Sequence, residues 1–276
     1  MRADTAQVAM VDGLARSRDG TRIGYTLYRR DGTTRRTVLI HSLAMDRHFW
    51  APVAESLSAH SSVLTLDCRG HGRSDKPAGP YTVELMADDV ADLMDTIGWE
   101  SALIAGASMG GCISLAFAKS YPRQTKALGL IDTTAWYGPE APAQWGERAK
   151  RGVDKGLETL IDFQKTRWFT DTFREQHPEI VQQCVDTFIA NDPQAYAATC
   201  TMLGACNLSE AIKTFRMPAA IVVGREDYAT PVAMSEALHQ SLRNSTLTVI
   251  EDGRHLTPLE HPDRITDELI QLLDRS

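Results

Sequence analysis

Between residues 103 and 111 the chain reads Leu-Ile-Ala-Gly-Ala-Ser-Met-Gly-Gly, an apolar run that halts at a serine fenced by glycines and then turns helix-like. Few local sequences restrict a fold as much. The spacing of Gly106, Ser108 and Gly110 predicts a buried strand, a sharp turn and a helix, with the serine on the corner and its hydroxyl turned out of the fold. Small residues flank the serine because neighbouring backbone crowds such a turn and glycine has no Cβ to clash. The helix behind it directs unpaired N–H groups at the serine, which suits a developing negative charge. Taken alone, the pattern also fits a tight turn with an incidental serine, so other parts of the chain must supply chemical partners.

The surrounding pattern predicts an α/β fold. Residues 14–29 alternate around Asp19-Gly20, which predicts an opening antiparallel hairpin. Short apolar runs without alternation follow at 37–40, 62–67, 103–107, 127–133, 219–224 and 247–250; each reads as a strand covered on both faces. Helices are expected between them. Pro52 suits the first turn of a helix over 49–59, Thr82 caps one that Gly98 ends, and further helices run from Ser108 to Tyr121, from Pro231 to Leu242 and from Pro262 to Leu273. Alternation of this kind builds a mostly parallel central sheet with flanking helices.

The alternation breaks between residues 134 and 217, where helix-like stretches at 154–168, 178–190, 193–206 and 209–215 follow one another without a strand. We therefore expect a core from 1–133 and 218–276, with 134–217 inserted as a helical cap. That segment holds Trp136, Trp145 and Trp168, together with Arg148, Arg151 and Arg167, whose orientation the sequence does not give. Trp136, just past a strand end, is the expected substrate-pocket residue.

A serine hydroxyl attacks only when a base takes its proton, and the base is normally a histidine held in one tautomer by a carboxylate. Sites in open parallel sheets gather at the carboxyl ends of strands. Asp227 follows the 219–224 strand and His255 the 247–250 strand, giving the chain order serine, acid, histidine. Asp132 also ends a strand and competes as the acid, as does Glu226 beside Asp227. Of the eight histidines, only His255 stands at a strand end behind the acid. A histidine base requires the rate to fall on the acid side as the imidazole protonates. The oxyanion would be met by two backbone N–H groups, that of Met109 after the serine and that of Leu43 in the loop after the 37–40 strand.

Composition removes several other classes. A net charge of −7 with no cluster of Lys and Arg speaks against a nucleic-acid surface, and the absence of an apolar run of about 18 residues argues against a membrane span. The opening MRADTAQVAMVDG is acidic and lacks an apolar leader core, so a cytoplasmic location is expected. Five cysteines without a C-x-x-C pair indicate neither a disulfide framework nor a zinc site. The loop RGHGRSD at 69–75 contains G-x-G but places Asp75 where a dinucleotide site needs its last glycine.

With these residues in view, the chain resembles α/β-hydrolase fold proteins over essentially its whole length. The resemblance rests on HSLAMD at 41–46, DCRGHGRSD at 67–75, GASMGG at 106–111, GREDYATP at 224–231 and GRHLTPLEHP at 253–262. Within that family it is most similar to 3-oxoadipate enol-lactonases and related carboxylesterases. Serine at the elbow departs from haloalkane dehalogenases, and the lack of a Gly-Pro-Gly oxyanion segment departs from proline iminopeptidases and meta-cleavage hydrolases. The resemblance implies a cofactor-free serine hydrolase that forms an acyl-enzyme at Ser108, takes a small ester or lactone and covers its pocket with a helical lid. The same residues could instead serve C–C bond hydrolysis, acyl transfer or perhydrolysis, or belong to a non-catalytic receptor. A homo-oligomer is compatible with the sequence.

Overall fold

The apolar, non-alternating runs form the middle of one sheet. Strands β1 (Val8–Arg16) and β2 (Arg22–Arg30) make the opening hairpin, and β3 (Arg36–Ile40), β4 (Ser62–Leu66), β5 (Ala102–Ala107), β6 (Thr125–Ile131), β7 (Ala219–Gly224) and β8 (Ser245–Ile250) complete it. The order is β1-β2-β4-β3-β5-β6-β7-β8. Pairing is antiparallel for β1–β2 and β2–β4 and parallel from β4 to β8. Residues 7–276 are described by the computed structural model. Residues 1–6, the start of the segment read above for a leader, lie outside the described residues.

This order decides where a site can form. From β3 the chain first moves to one side, to β4, and then crosses back to β5 on the other side. The loops leaving the carboxyl ends of β3 and β5 therefore diverge and open a crevice between them, the usual ligand position in an open α/β sheet. Ile40 pairs with Gly106 at that end, which sets the loop beginning at His41 beside Ser108.

Helices α1 (Ala51–Leu57), α2 (Val83–Thr96) and α3 (Met109–Ser120) follow β3, β4 and β5. Their ends obey the local signals: Pro52 lies in the first turn of α1, the Thr82 hydroxyl accepts the Leu85 N–H at 3.0 Å, and Gly98, with φ +75°, follows the end of α2. Between β6 and β7 come α4 (Ala141–Lys155), α5 (Ile161–Trp168), α6 (Asp171–Gln176), α7 (Pro178–Ile189) and α8 (Pro193–Ala205). α9 (Val232–Ser241), α10 (Thr257–Glu260) and α11 (Pro262–Leu273) end the chain. α2 packs on α3 and α1 on α11, giving the two helical layers that cover the sheet.

Three details of the 134–217 segment differ from expectation. The helix expected over 154–168 is two helices, because Gly156 takes φ +83° and ends α4 before a 3-10 turn at Leu157–Leu160 leads into α5. α4 itself, which the sequence did not suggest, packs extensively on α8. The stretch over 209–215 contains only a 3-10 turn, Ala211–Thr214.

Candidate active site

Ser108 sits between β5 and α3 with φ +53° and ψ −114°, a backbone conformation that costs a non-glycine residue about 1–3 kcal/mol. The surroundings hold it there. Its N–H donates to Ile131 O at 2.9 Å, and its carbonyl accepts the Thr133 hydroxyl at 2.6 Å. The flanking glycines are needed for close approach: a Cβ on Gly106 would lie 2.1 Å from the Gly110 carbonyl, and one on Gly110 would lie 2.1 Å from Ile40 O. Gly110→Ala is accordingly expected to destabilise the fold by about 3 kcal/mol or more, seen as a lower urea midpoint with an unchanged slope.

Three side chains from distant parts of the chain meet at this corner. His255 Nε2 lies 3.0 Å from Ser108 Oγ, and His255 Nδ1 lies 2.8 Å from Asp227 Oδ2. All three residues are buried. Because a carboxylate oxygen faces Nδ1, that nitrogen carries the imidazole proton and leaves Nε2 as the acceptor for the serine hydroxyl. Asp227 is itself fixed by its own loop: Oδ1 accepts the N–H groups of Ala229 and Thr230 at 2.7 and 2.9 Å, and Oδ2 accepts the Thr230 hydroxyl at 2.8 Å.

The histidine loop is anchored to the inserted helices. The N–H groups of His255 and Leu256 both donate to Trp168 O, at 3.1 and 3.0 Å. Glu260 accepts the Thr170 N–H and the Arg254 N–H, each at 2.8 Å. The end of α5 and the histidine loop are thus one hydrogen-bonded unit.

The competing acids have other partners. Asp132, at φ +47°, accepts Gly224 N–H at 3.2 Å, Thr257 N–H at 3.0 Å and the Thr257 hydroxyl at 2.7 Å. It therefore ties the strand that leads to Asp227 to the loop that carries His255. Burial, reinforced by the neighbouring Asp227 charge, pushes the Asp132 carboxyl well above the usual carboxylate range. Glu226 pairs with Arg254 at 2.5 Å.

His41 and His71 are structural. His41 Nδ1 donates to Ser42 O at 2.7 Å while Nε2 accepts the Cys68 N–H at 2.9 Å, which ties the β3 loop to the β4 loop. Burial lowers the pKa of both rings, that of His71 to about 3 with the adjacent His41 adding to the effect. Cys112 is buried with its thiol 3.3 Å from Thr134 O.

A cavity of about 70 Å³ opens over Ser108 and His255. Leu43 lines it, and among the described residues neither the Leu43 nor the Met109 N–H has an acceptor within the protein. Trp136, expected as a pocket residue, does not line this cavity; it is 42% exposed and borders a surface groove with Ile212 and Met234. The reason is parity. Trp136 lies in an extended bridge with Asn207, where successive side chains point to opposite sides, and Tyr137 is the one that reaches the cavity.

Trp145 and Arg148 of α4 and Gln164, Arg167 and Trp168 of α5 supply much of the remaining wall. Arg148 Nε donates to the Tyr196 hydroxyl at 2.7 Å, and its guanidinium lies 4.9 Å from the Trp145 ring. Arg167 donates to Tyr228 O at 2.6 Å, and burial followed by the Arg148 charge lowers its pKa. Among the described residues neither guanidinium has a carboxylate within ion-pair distance. Arg151 instead turns to Thr159 O, at 2.7 Å. An i, i+3 pair, Trp145 and Arg148, was the available sequence signal for a shared helix face.

Residues 38–162 match the family model described as alpha/beta hydrolase fold. The chain is 29% identical over 238 residues to 3-oxoadipate enol-lactonase 2 of Acinetobacter baylyi, covering 86% of this chain and 88% of that protein. Its structure superposes on the enol-lactonase of Burkholderia xenovorans LB400 with a TM-score of 0.90 at 32% identity, covering 95% of this chain and all of the other. A thermophilic esterase from Thermogutta terrifontis superposes with a TM-score of 0.88 at 27% identity, covering 96% and 98% of the two chains.

Proposed function

The chain belongs to the α/β-hydrolase family and acts on ester bonds, and from that premise we propose that it cleaves a small ester or lactone through an acyl-enzyme on Ser108. The observation that carries this reading is the unbroken line from Asp227 through His255 to Ser108 Oγ, at 2.8 and 3.0 Å. His255 Nε2 takes the hydroxyl proton as Oγ bonds to the substrate carbonyl carbon. The carbonyl oxygen becomes an oxyanion that accepts the free N–H groups of Leu43 and Met109. As the C–O bond breaks, His255 returns the proton to the leaving oxygen. Water then attacks the acyl-enzyme with the same histidine as base, releasing the acid and restoring Ser108.

The substrate carries a carboxylate of its own. Two arginines line the cavity without an acidic partner among the described residues, and a desolvated guanidinium lacking its counter-charge is costly unless a ligand supplies one. Arginine also matches carboxylate geometry with two parallel hydrogen bonds. The enol-lactonases among the relatives support this choice of substrate class. The segment 134–217, which provides both arginines, serves as the cap over the pocket.

Arg148→Met is expected to raise KM for carboxylate-bearing esters by about 10- to 100-fold, the worth of one hydrogen bond to a charged group. Steady-state kinetics on monomethyl succinate and on methyl butyrate checks this, since the neutral ester should change little. The site as a whole is tested with a fluorophosphonate probe. Labelling should occur on the peptide containing Ser108 and should abolish ester and lactone hydrolysis; a fully labelled enzyme that keeps its rate would sink the acyl-enzyme.

A further inference from the structure

Outside the catalytic cavity lies a wider hollow of about 600 Å³, walled by Leu160 and Phe163 on one side and Tyr228 and Met234 on the other. Tyr137, Trp145, Arg148, Arg167 and Ala229 line both spaces. The two spaces therefore adjoin one another along these shared residues, and the outer hollow borders the chamber that holds Ser108.

The walls of this vestibule are unusual for solvent-facing surface. Phe163 is 51% exposed and Tyr228 59% exposed, yet both rings are held in place. The Arg167 guanidinium lies 4.9 Å from the Phe163 ring while its Nη2 donates to the Tyr228 carbonyl, and the Arg254 guanidinium lies 5.3 Å from the Tyr228 ring. Arg254 is in turn anchored to Phe169 O and Thr166 O, each at 2.8 Å. Two exposed aromatic rings fixed by cations at the edge of a reaction chamber form a preorganised apolar surface. Apolar groups gain most from contact with surface that needs no further ordering.

We propose that the vestibule receives an apolar alkyl or aryl arm of the substrate, so that the molecule spans both chambers with its scissile carbonyl at Ser108 and its arm along Phe163 and Tyr228. This rests on the ester-cleavage reading above and extends it to substrates longer than the inner cavity holds. The arm can belong to the acyl or to the alcohol half of the ester, because both halves meet at the same carbonyl.

Two ester series separate these sources: methyl esters of straight-chain acids from acetate to octanoate, and monoalkyl succinates from methyl to octyl. In one series kcat/KM is expected to rise about two- to fourfold per added methylene, the worth of partial to full burial, and the responding series identifies the half that carries the arm. In Phe163→Ala and Tyr228→Ala the ratio of longest to shortest ester should fall towards one. A rate that is flat or declining with length in both series, while the short esters are turned over, overturns the vestibule proposal and leaves the ester-cleavage reading intact. An unaltered ratio in both variants also overturns it. No turnover of any ester, short or long, brings down both.

Discussion

Replacing Ser108 with alanine is expected to lower kcat/KM by about 10⁴ to 10⁶ while leaving the protein folded. The size follows from what is lost. Without Oγ no covalent intermediate forms, and the remaining rate comes from binding and from the two free N–H groups at Leu43 and Met109. Stability should scarcely move, because the hydrogen bond that Oγ gives up is the one to His255 Nε2. Alanine does not relieve the backbone either, since its Cβ meets the same penalty at φ +53°. Ser108→Gly should be more stable than Ser108→Ala by about 1 kcal/mol for that reason. Cys112 offers no substitute nucleophile: it is fully buried with its thiol against Thr134 O. Progress curves from enzyme at high concentration, beside thermal melts of the three proteins, check both parts. An alanine variant that retains its rate would move the nucleophile away from Ser108.

The corner that carries this residue was legible because its constraints are local. An apolar run, three glycines and a serine define a strand–turn–helix without reference to the rest of the chain. The positions of Asp227 and His255 were legible for a different reason: a parallel sheet sends every strand end to the same rim, so the residue types after β7 and β8 were enough. Asp132 remained a rival to the favoured Asp227, since β6 and β7 are neighbours and an acid follows the end of each. Only the hydrogen-bond partners distinguish them.

The pocket wall was much less legible. Whether Trp136 or Tyr137 turns inward depends on the parity of a bridge to Asn207, some seventy residues away in the chain, and a one-residue shift reverses every side chain. Which arginine of α4 enters the cavity depends on how that helix packs against Tyr196 of α8. Amphipathic periodicity identifies a helix face; it does not say what the face meets. α4 was missed altogether although Pro142 stands in its first turn, because its buried residues are only the small Ala141, Ala149 and Gly152, which make no apolar stripe.

The second large effect separates the two buried acids. Asp227→Asn is expected to reduce kcat by about 10⁴, and the geometry of this loop says why. The amide nitrogen cannot occupy the Oδ1 position, where the N–H groups of Ala229 and Thr230 would confront it. It must take the Oδ2 position and point an N–H at His255 Nδ1. The imidazole then carries its proton on Nε2, and that nitrogen can no longer accept the proton of Ser108. Asp132→Asn should behave differently. Its amide nitrogen faces an N–H in either orientation, from Gly224 or from Thr257, so one buried hydrogen bond is lost at about 1–3 kcal/mol, while the rate should change by less than about tenfold since the His255–Asp227 contact survives. The stability loss is also expected to depend on pH. Burial and the Asp227 charge raise the Asp132 pKa in the folded protein above its ordinary value of 3.8, so the native state binds more protons than the unfolded state once pH exceeds that value, and wild-type stability falls as pH rises. Asparagine has no such titration. The gap between Asp132→Asn and wild type should therefore be widest at acid pH and narrow towards neutrality, as urea midpoints across that range would record. If Asp132→Asn abolished turnover and Asp227→Asn left it nearly intact, the acid behind His255 would have to be Asp132.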